Sequence, residues 1–200
     1  MKKNILGIIL ITCCFSVLSN PIQSKVCAEK SNELYGLIQP AGTEKEKAFL
    51  KNLAGLCGKS FRGKEAYTAP GRESWADKDF VMHVTVCEED KVFIPFHLGE
   101  DRSRTWMFLM EGEKLRFRHD HRHEDGTPEE LTMYGGYSDG TGTGYMQKFP
   151  ADDYTLNLLD DNATREWRVI LAEDLSTFTY QLLYNGEVVF SAEFDLTRPI

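Results

Sequence analysis

Positive charge is in short supply in this chain of 200 residues: 23 Lys and Arg stand against 31 Asp and Glu, for a formal net charge of −8. A protein of that sign has no electrostatic reason to bind nucleic acid or an anionic membrane, and neither is an expected partner. Long apolar runs are also scarce. The one such run, Ile5 to Leu18, falls short of the roughly 20 residues that cross a bilayer, and no later stretch approaches it, so no membrane span is expected. Preceded by Lys2 and Lys3 and followed by small residues, it reads as an export signal cleaved after Ser19 or as late as Ala28. An uncleaved N-terminal anchor is the alternative. The expected location is the periplasm or the exterior.

Cysteine is sparse, with five in all. Cys13 and Cys14 leave with the signal, and Cys27 leaves with it if cleavage is late. Cys57 and Cys87 then remain as a pair, which in an oxidising compartment reads as one disulfide. Two unbridged buried thiols are the alternative. No Cys-x-x-Cys spacing makes a zinc site of them. Also missing are a Gly-x-Ser-x-Gly elbow, a dinucleotide fingerprint, a His-Glu-x-x-His helix and a glycine-rich phosphate cradle. No nucleophile stands at a diagnostic spacing, so the chain is read as a binding protein in preference to an enzyme.

What is present is a regular alternation. Residues 20–42 form an irregular lead-in containing Gly36, Pro40 and Gly42, and one domain is expected over 43–198. Thr43-Glu-Lys-Glu46 matches a capping box. Phe49, Leu53 and Leu56 then recur at helical spacing, which predicts one helix over Glu44 to Leu56, ended by Gly55 and Gly58. Beyond it the period changes to two. Strands are predicted over Lys59–Tyr67, Phe80–Cys87, Lys91–Leu98, Arg104–Met110 and Lys114–His123. Five more follow over Leu131–Tyr137, Thr143–Phe149, Glu166–Leu171, Thr177–Tyr184 and Glu187–Leu196. The connections are short, and Asn185-Gly186 is the strongest hairpin signal among them. About ten antiparallel strands in sequence order predict an all-β up-and-down barrel, because closure removes sticky edges. Asn162-Ala-Thr164 matches a glycosylation acceptor and is taken as a chance loop match.

The stretch Leu115-Arg-Phe-Arg-His-Asp-His-Arg-His-Glu124 alternates almost without fault. In an extended strand Leu115, Phe117, His119, His121 and His123 share one face, and Arg116, Arg118, Asp120, Arg122 and Glu124 the other. The first face runs from apolar to imidazole, as a wall does when an interior opens toward solvent. The second reads as a solvated charge ladder. Strands around Val92–Phe96 and Trp106–Met110 are apolar on both faces and need a second cover, from the helix or from the partner of a homodimer.

All five histidines fall between His83 and His123. The ligand-binding candidates are therefore His119, His121 and His123, with His83, His97, Trp106 and Tyr134 beside them. A His-x-His pair places two imidazoles on one side about 6.6 Å apart, within reach of one divalent ion such as zinc, which marks His119 and His121 as the candidate metal pair. His123 lies about 13 Å from His119 along a flat strand, too far to join the same ion. Hydrogen bonding among the rings, to Tyr or to water is the plainer reading. Asp101 and Asp125 are placed to assist a metal or to fix an arginine.

The order of helix, Gly58-Lys-Ser-Phe61-Arg-Gly63 and hairpin-linked strands resembles the lipocalin-like (calycin) barrels. There a Gly-x-Trp element opens the first strand beside a short helix and closes the base; Phe61 holds the aromatic place here. The resemblance covers Leu53 to Leu196 in layout and implies a cup for a small hydrophobic or amphipathic molecule. Ile94-Pro-Phe-His-Leu-Gly99 and His119 to Pro128 are also similar to exported bacterial proteins of unknown function. Three functions follow: a ligand-binding barrel with a histidine-lined mouth, a metal-dependent enzyme built on His119 and His121, or a filled barrel serving as an envelope or interaction module. The expected assembly is a monomer or a homodimer.

Overall fold

The computed structural model describes residues 43–159 and 163–200. The expected export signal, the expected lead-in over 20–42 and the Asn162 motif lie outside the described residues. The chain order is α1 (Thr43–Ala54), β1 (Ser60–Thr68), β2 (Phe80–His83), β3 (Val86–Glu88), β4 (Lys91–Leu98), β5 (Asp101–Glu111), β6 (Lys114–His121) and β7 (Tyr134–Tyr137). Then come β8 (Met146–Pro150), α2 (Asp153–Leu159), β9 (Arg165–Leu171), β10 (Thr177–Tyr184) and β11 (Glu187–Pro199). All strand pairs among the described residues are antiparallel, in the order β7-β6-β5-β4-β2-β1-β11-β10-β9-β8, with β3 added beside β4. Pairing of β1 with β11 curls the sheet into a nearly closed barrel.

The predicted strand over Phe80–Cys87 is two strands. Both pair with β4, but the register shifts by one residue between Met82–Phe96 and Val86–Phe93, and bonding on the β1 side ends at Val84, which meets Lys59 and Gly58. Cys57 and Cys87 are joined by a disulfide, which ties the chain after α1 to β3.

Inward residues follow the alternation. Val92, Ile94, Phe96 and Leu98 on β4, Trp106 and Phe108 on β5, and Leu115 and Phe117 on β6 are buried in one core with Trp167, Val169, Phe178 and Phe194. Helix α1 does not lie over the outer face of β4 and β5. Its Phe49, Leu50 and Leu53 are buried in the interior, and the Phe49 ring meets Phe108 edge-on at 6.0 Å. The helix therefore plugs one end. Glu46, also buried, accepts the backbone N–H of Leu115. The outer cover expected of α1 comes in part from α2, whose Tyr154 forms a shallow hollow with Met107, Leu109, Met133 and Arg118.

The remaining gap falls between β7 and β8, and Asp152 bridges it. Its N–H donates to Gly135 O at 3.0 Å, Oδ1 caps α2 by accepting from Thr155 N at 3.1 Å, and Oδ2 receives the guanidiniums of Arg118 and Arg116. The buried Thr155 hydroxyl accepts from Gly135 N and donates to Gly135 O, both at 2.8 Å, in place of a strand partner. Both glycines here are required: Gly135 has φ 149°, and a Cβ on Gly136 would sit 1.9 Å from the Pro150 carbonyl oxygen. Arg118, expected on a solvated face, is instead 3 % exposed. The crossing of β8 into α2 carries a carboxylate over it, and burial of a charge requires such a partner.

Candidate functional site: an aromatic cavity with a charged rim

At the end away from α1 the core residues stop filling the barrel and begin to wall a cavity of about 580 Å³. Its sides are Phe96, Trp106, Tyr134, Trp167, Tyr180 and Phe190, six aromatic rings from six strands. Ring-on-ring contacts hold the walls in place. Phe96 and Tyr180 both stack on Trp106, at 4.7 and 4.6 Å, and Tyr134 stacks on Trp167 at 5.6 Å. Each such pair adds about 0.5–1.5 kcal/mol beyond its buried area.

His119 and His121 line this cavity with Trp106 and Tyr134. The other three histidines are not brought to it. His83 and His97 lie on the outer face, where Ser60 Oγ stands 2.7 Å from His83 Nδ1 and His83 Nε2 stands 3.0 Å from His97 Nδ1. Period two puts them there: Met82, Phe96 and Leu98, their chain neighbours, take the inner positions. His123 is exposed. The strand ends at His121, Arg122 bridges to Pro128, and a turn closed by Gly126 N to His123 O at 2.9 Å carries His123 away from the wall.

The two histidines of the wall differ. His121 has both nitrogens engaged, with Nδ1 2.5 Å from Glu129 Oε2 and Nε2 3.0 Å from Ser103 Oγ. Nδ1–H donates to the carboxylate, which leaves Nε2 to accept from the serine hydroxyl. Ser103 is not part of the cavity wall, so this chain fastens β5, β6 and the segment carrying Glu129 at the rim. His119 is 6 % exposed, and neither of its nitrogens has a hydrogen-bond partner among the described residues. Burial, with the Arg104 charge nearby, holds its pKa down to about 3, so the ring is neutral. The two ring centroids are 6.1 Å apart. Any metal shared by the pair would have to displace a bond of His121, and no group of three or more His, Cys, Asp or Glu among the described residues is placed to hold an ion.

Sequence reasoning did not single out the rim. Arg72, Arg104 and Arg165 reach the cavity together with Glu73 and Glu129. Arg104 is held by Asp101, which also accepts Ser103 N at 2.9 Å. Arg72 and Arg165 lie over the Tyr184 ring, 4.8 and 4.7 Å from its centroid, and Arg104 lies 5.7 Å from the Trp75 centroid. Alternation on β5 could have found Arg104, two residues from Trp106. Arg72 and Trp75 come from the connection between β1 and β2, where no periodic signal exists. Tyr180 and Tyr134 are both pushed up in pKa by burial, so both phenols stay protonated.

Compared with family models, with curated proteins and with solved structures, the chain matches none.

Proposed function

We propose that this protein is a lipocalin-like carrier, exported from the cell, that holds one small and partly apolar molecule in the barrel. The cavity carries the proposal. A filled barrel would close this volume with its own side chains, whereas about 580 Å³ walled by six aromatic rings lies within the roughly 300–1,000 Å³ typical of small-molecule sites. His119, His121, Trp106 and Tyr134 are the binding residues of this reading; His83, His97 and His123 have no part in it. The disulfide Cys57–Cys87 supports an oxidising location, as does the basic and apolar start of the chain.

Titration with 8-anilinonaphthalene-1-sulfonate tests it. One dye is expected to bind per protein, with energy transfer from Trp106 and Trp167, and Leu182→Trp, which narrows the cavity, is expected to weaken binding. No binding, or binding unchanged by the variant, would overturn the proposal.

A further inference from the structure

We infer that the cavity takes an organic acid, its apolar body among the aromatic walls and its anionic group at the rim against Arg104, with Arg72 adding positive charge. This rests on the cavity being a ligand site and goes on to name the ligand's charge. The chain as a whole is acidic, at −8, and yet three arginines border this one cavity against two glutamates. Arg104 is built into the wall. It stands on β5 two residues before Trp106, and its register partners, Phe96 on β4 and His121 on β6, border the cavity with it. Its side chain is 16 % exposed, so a ligand can reach the guanidinium. Asp101 engages Nη1, and a guanidinium carries five donors in a fork that suits a carboxylate or sulfonate, so donors remain for a ligand. Arg72, on the exposed connection between β1 and β2, lies over the Tyr184 ring and forms no ion pair among the described residues.

The charges felt along the wall have the same sign. Burial and then the Arg104 charge hold His119 neutral, and the buried phenols of Tyr134 and Tyr180 feel that charge too. Of these three residues only Tyr134 feels a carboxylate, that of Glu129, and it feels Arg104 more strongly. Glu129 receives the Nδ1–H of His121, and Glu73 lies on the exposed connection beside Arg72. Between low-dielectric walls such a field acts more strongly than it would in water, drawing an anion to the rim and repelling an ammonium group.

Two dyes with one body test this on the whole protein: 8-anilinonaphthalene-1-sulfonate and the uncharged N-phenyl-1-naphthylamine, which lacks the sulfonate. Arg104→Gln combined with Asp101→Asn, which strands no carboxylate, is expected to weaken the sulfonate about tenfold and the uncharged dye less than about twofold. Arg72→Gln, at a more exposed site, is expected to weaken the sulfonate about threefold with the same selectivity. Asp101→Asn alone keeps the guanidinium and should leave the sulfonate bound at least as tightly. Added salt is expected to weaken the sulfonate alone. A loss shared equally by both dyes, no loss for the sulfonate, or binding of the uncharged dye only would overturn the inference by itself. Failure of both dyes to bind the native protein would overturn the ligand site with it.

Discussion

The two ends of this barrel are made from the same alternating strands and differ in what meets between them. At the plugged end, Phe49 of α1 meets Phe108 in the core that also holds Leu53, Leu115 and Phe117, and the buried Glu46 has the Leu115 N–H as its partner. At the open end no helix enters. The rings stack sideways on one another, a cavity remains, and the buried nitrogens of Trp106 and His119 have no hydrogen-bond partner among the described residues. A filled interior gains dispersion contacts on every side of each ring, and a ring bordering a void forfeits those on the part that faces it. The plugged end is filled by side chains, and the open end retains a cavity.

The sharpest way to break that contrast is a matched pair of truncations. Phe108→Ala at the plug is expected to cost about 3–5 kcal/mol in denaturant unfolding, the usual range for a fully packed phenylalanine. Phe190→Ala, whose ring borders the cavity while packing on Trp75 and Tyr180, is expected to cost less than Phe108→Ala, since part of its surroundings is already empty. Equal costs would mean that the open end is packed as well as the closed one. Replacing Cys57 and Cys87 together by Ser is next in size. The bridge spans 30 residues, so its loss should lower stability by about 3–4 kcal/mol while dye affinity in the folded protein stays unchanged. A loss of affinity in the folded protein would show that the two ends are coupled.

A change of pH sharpens the open end further. His119 has a folded pKa of about 3 against an ordinary 6.5. Between those values the unfolded chain takes up a proton that the folded chain refuses, so stability falls as pH drops through that window and is unaffected above it. The slope from this one group is about 1.4 kcal/mol per pH unit. Unfolding of His119→Phe should therefore show a shallower loss between pH 6 and pH 4. Identical slopes would mean that His119 exchanges protons freely with solvent.

Much of the fold was legible because period two is a local signal. The inward set Leu115, Phe117, His119 and His121 needed only alternation, and the hairpin at Asn185-Gly186 needed only two residues. Helix α2 was missed, though Asp152 followed by Thr155 is a cap signal in front of it; seven residues give too few turns for a periodic stripe. Alternation also misled where a strand stopped early, at His123. It placed Arg118 on the correct face and yet could not show that Asp152, 34 residues away, covers that face.

The order of strands, their inner and outer residues and the imidazoles of one wall were thus written in the sequence, since each depends on neighbours along the chain. Which end is plugged, where the seam between β7 and β8 closes, and why His119 is left unpaired while His121 is fastened were decided in three dimensions. Those outcomes depend on groups far apart in the chain meeting across a barrel, and the reach of a local pattern ends at the turn that follows it.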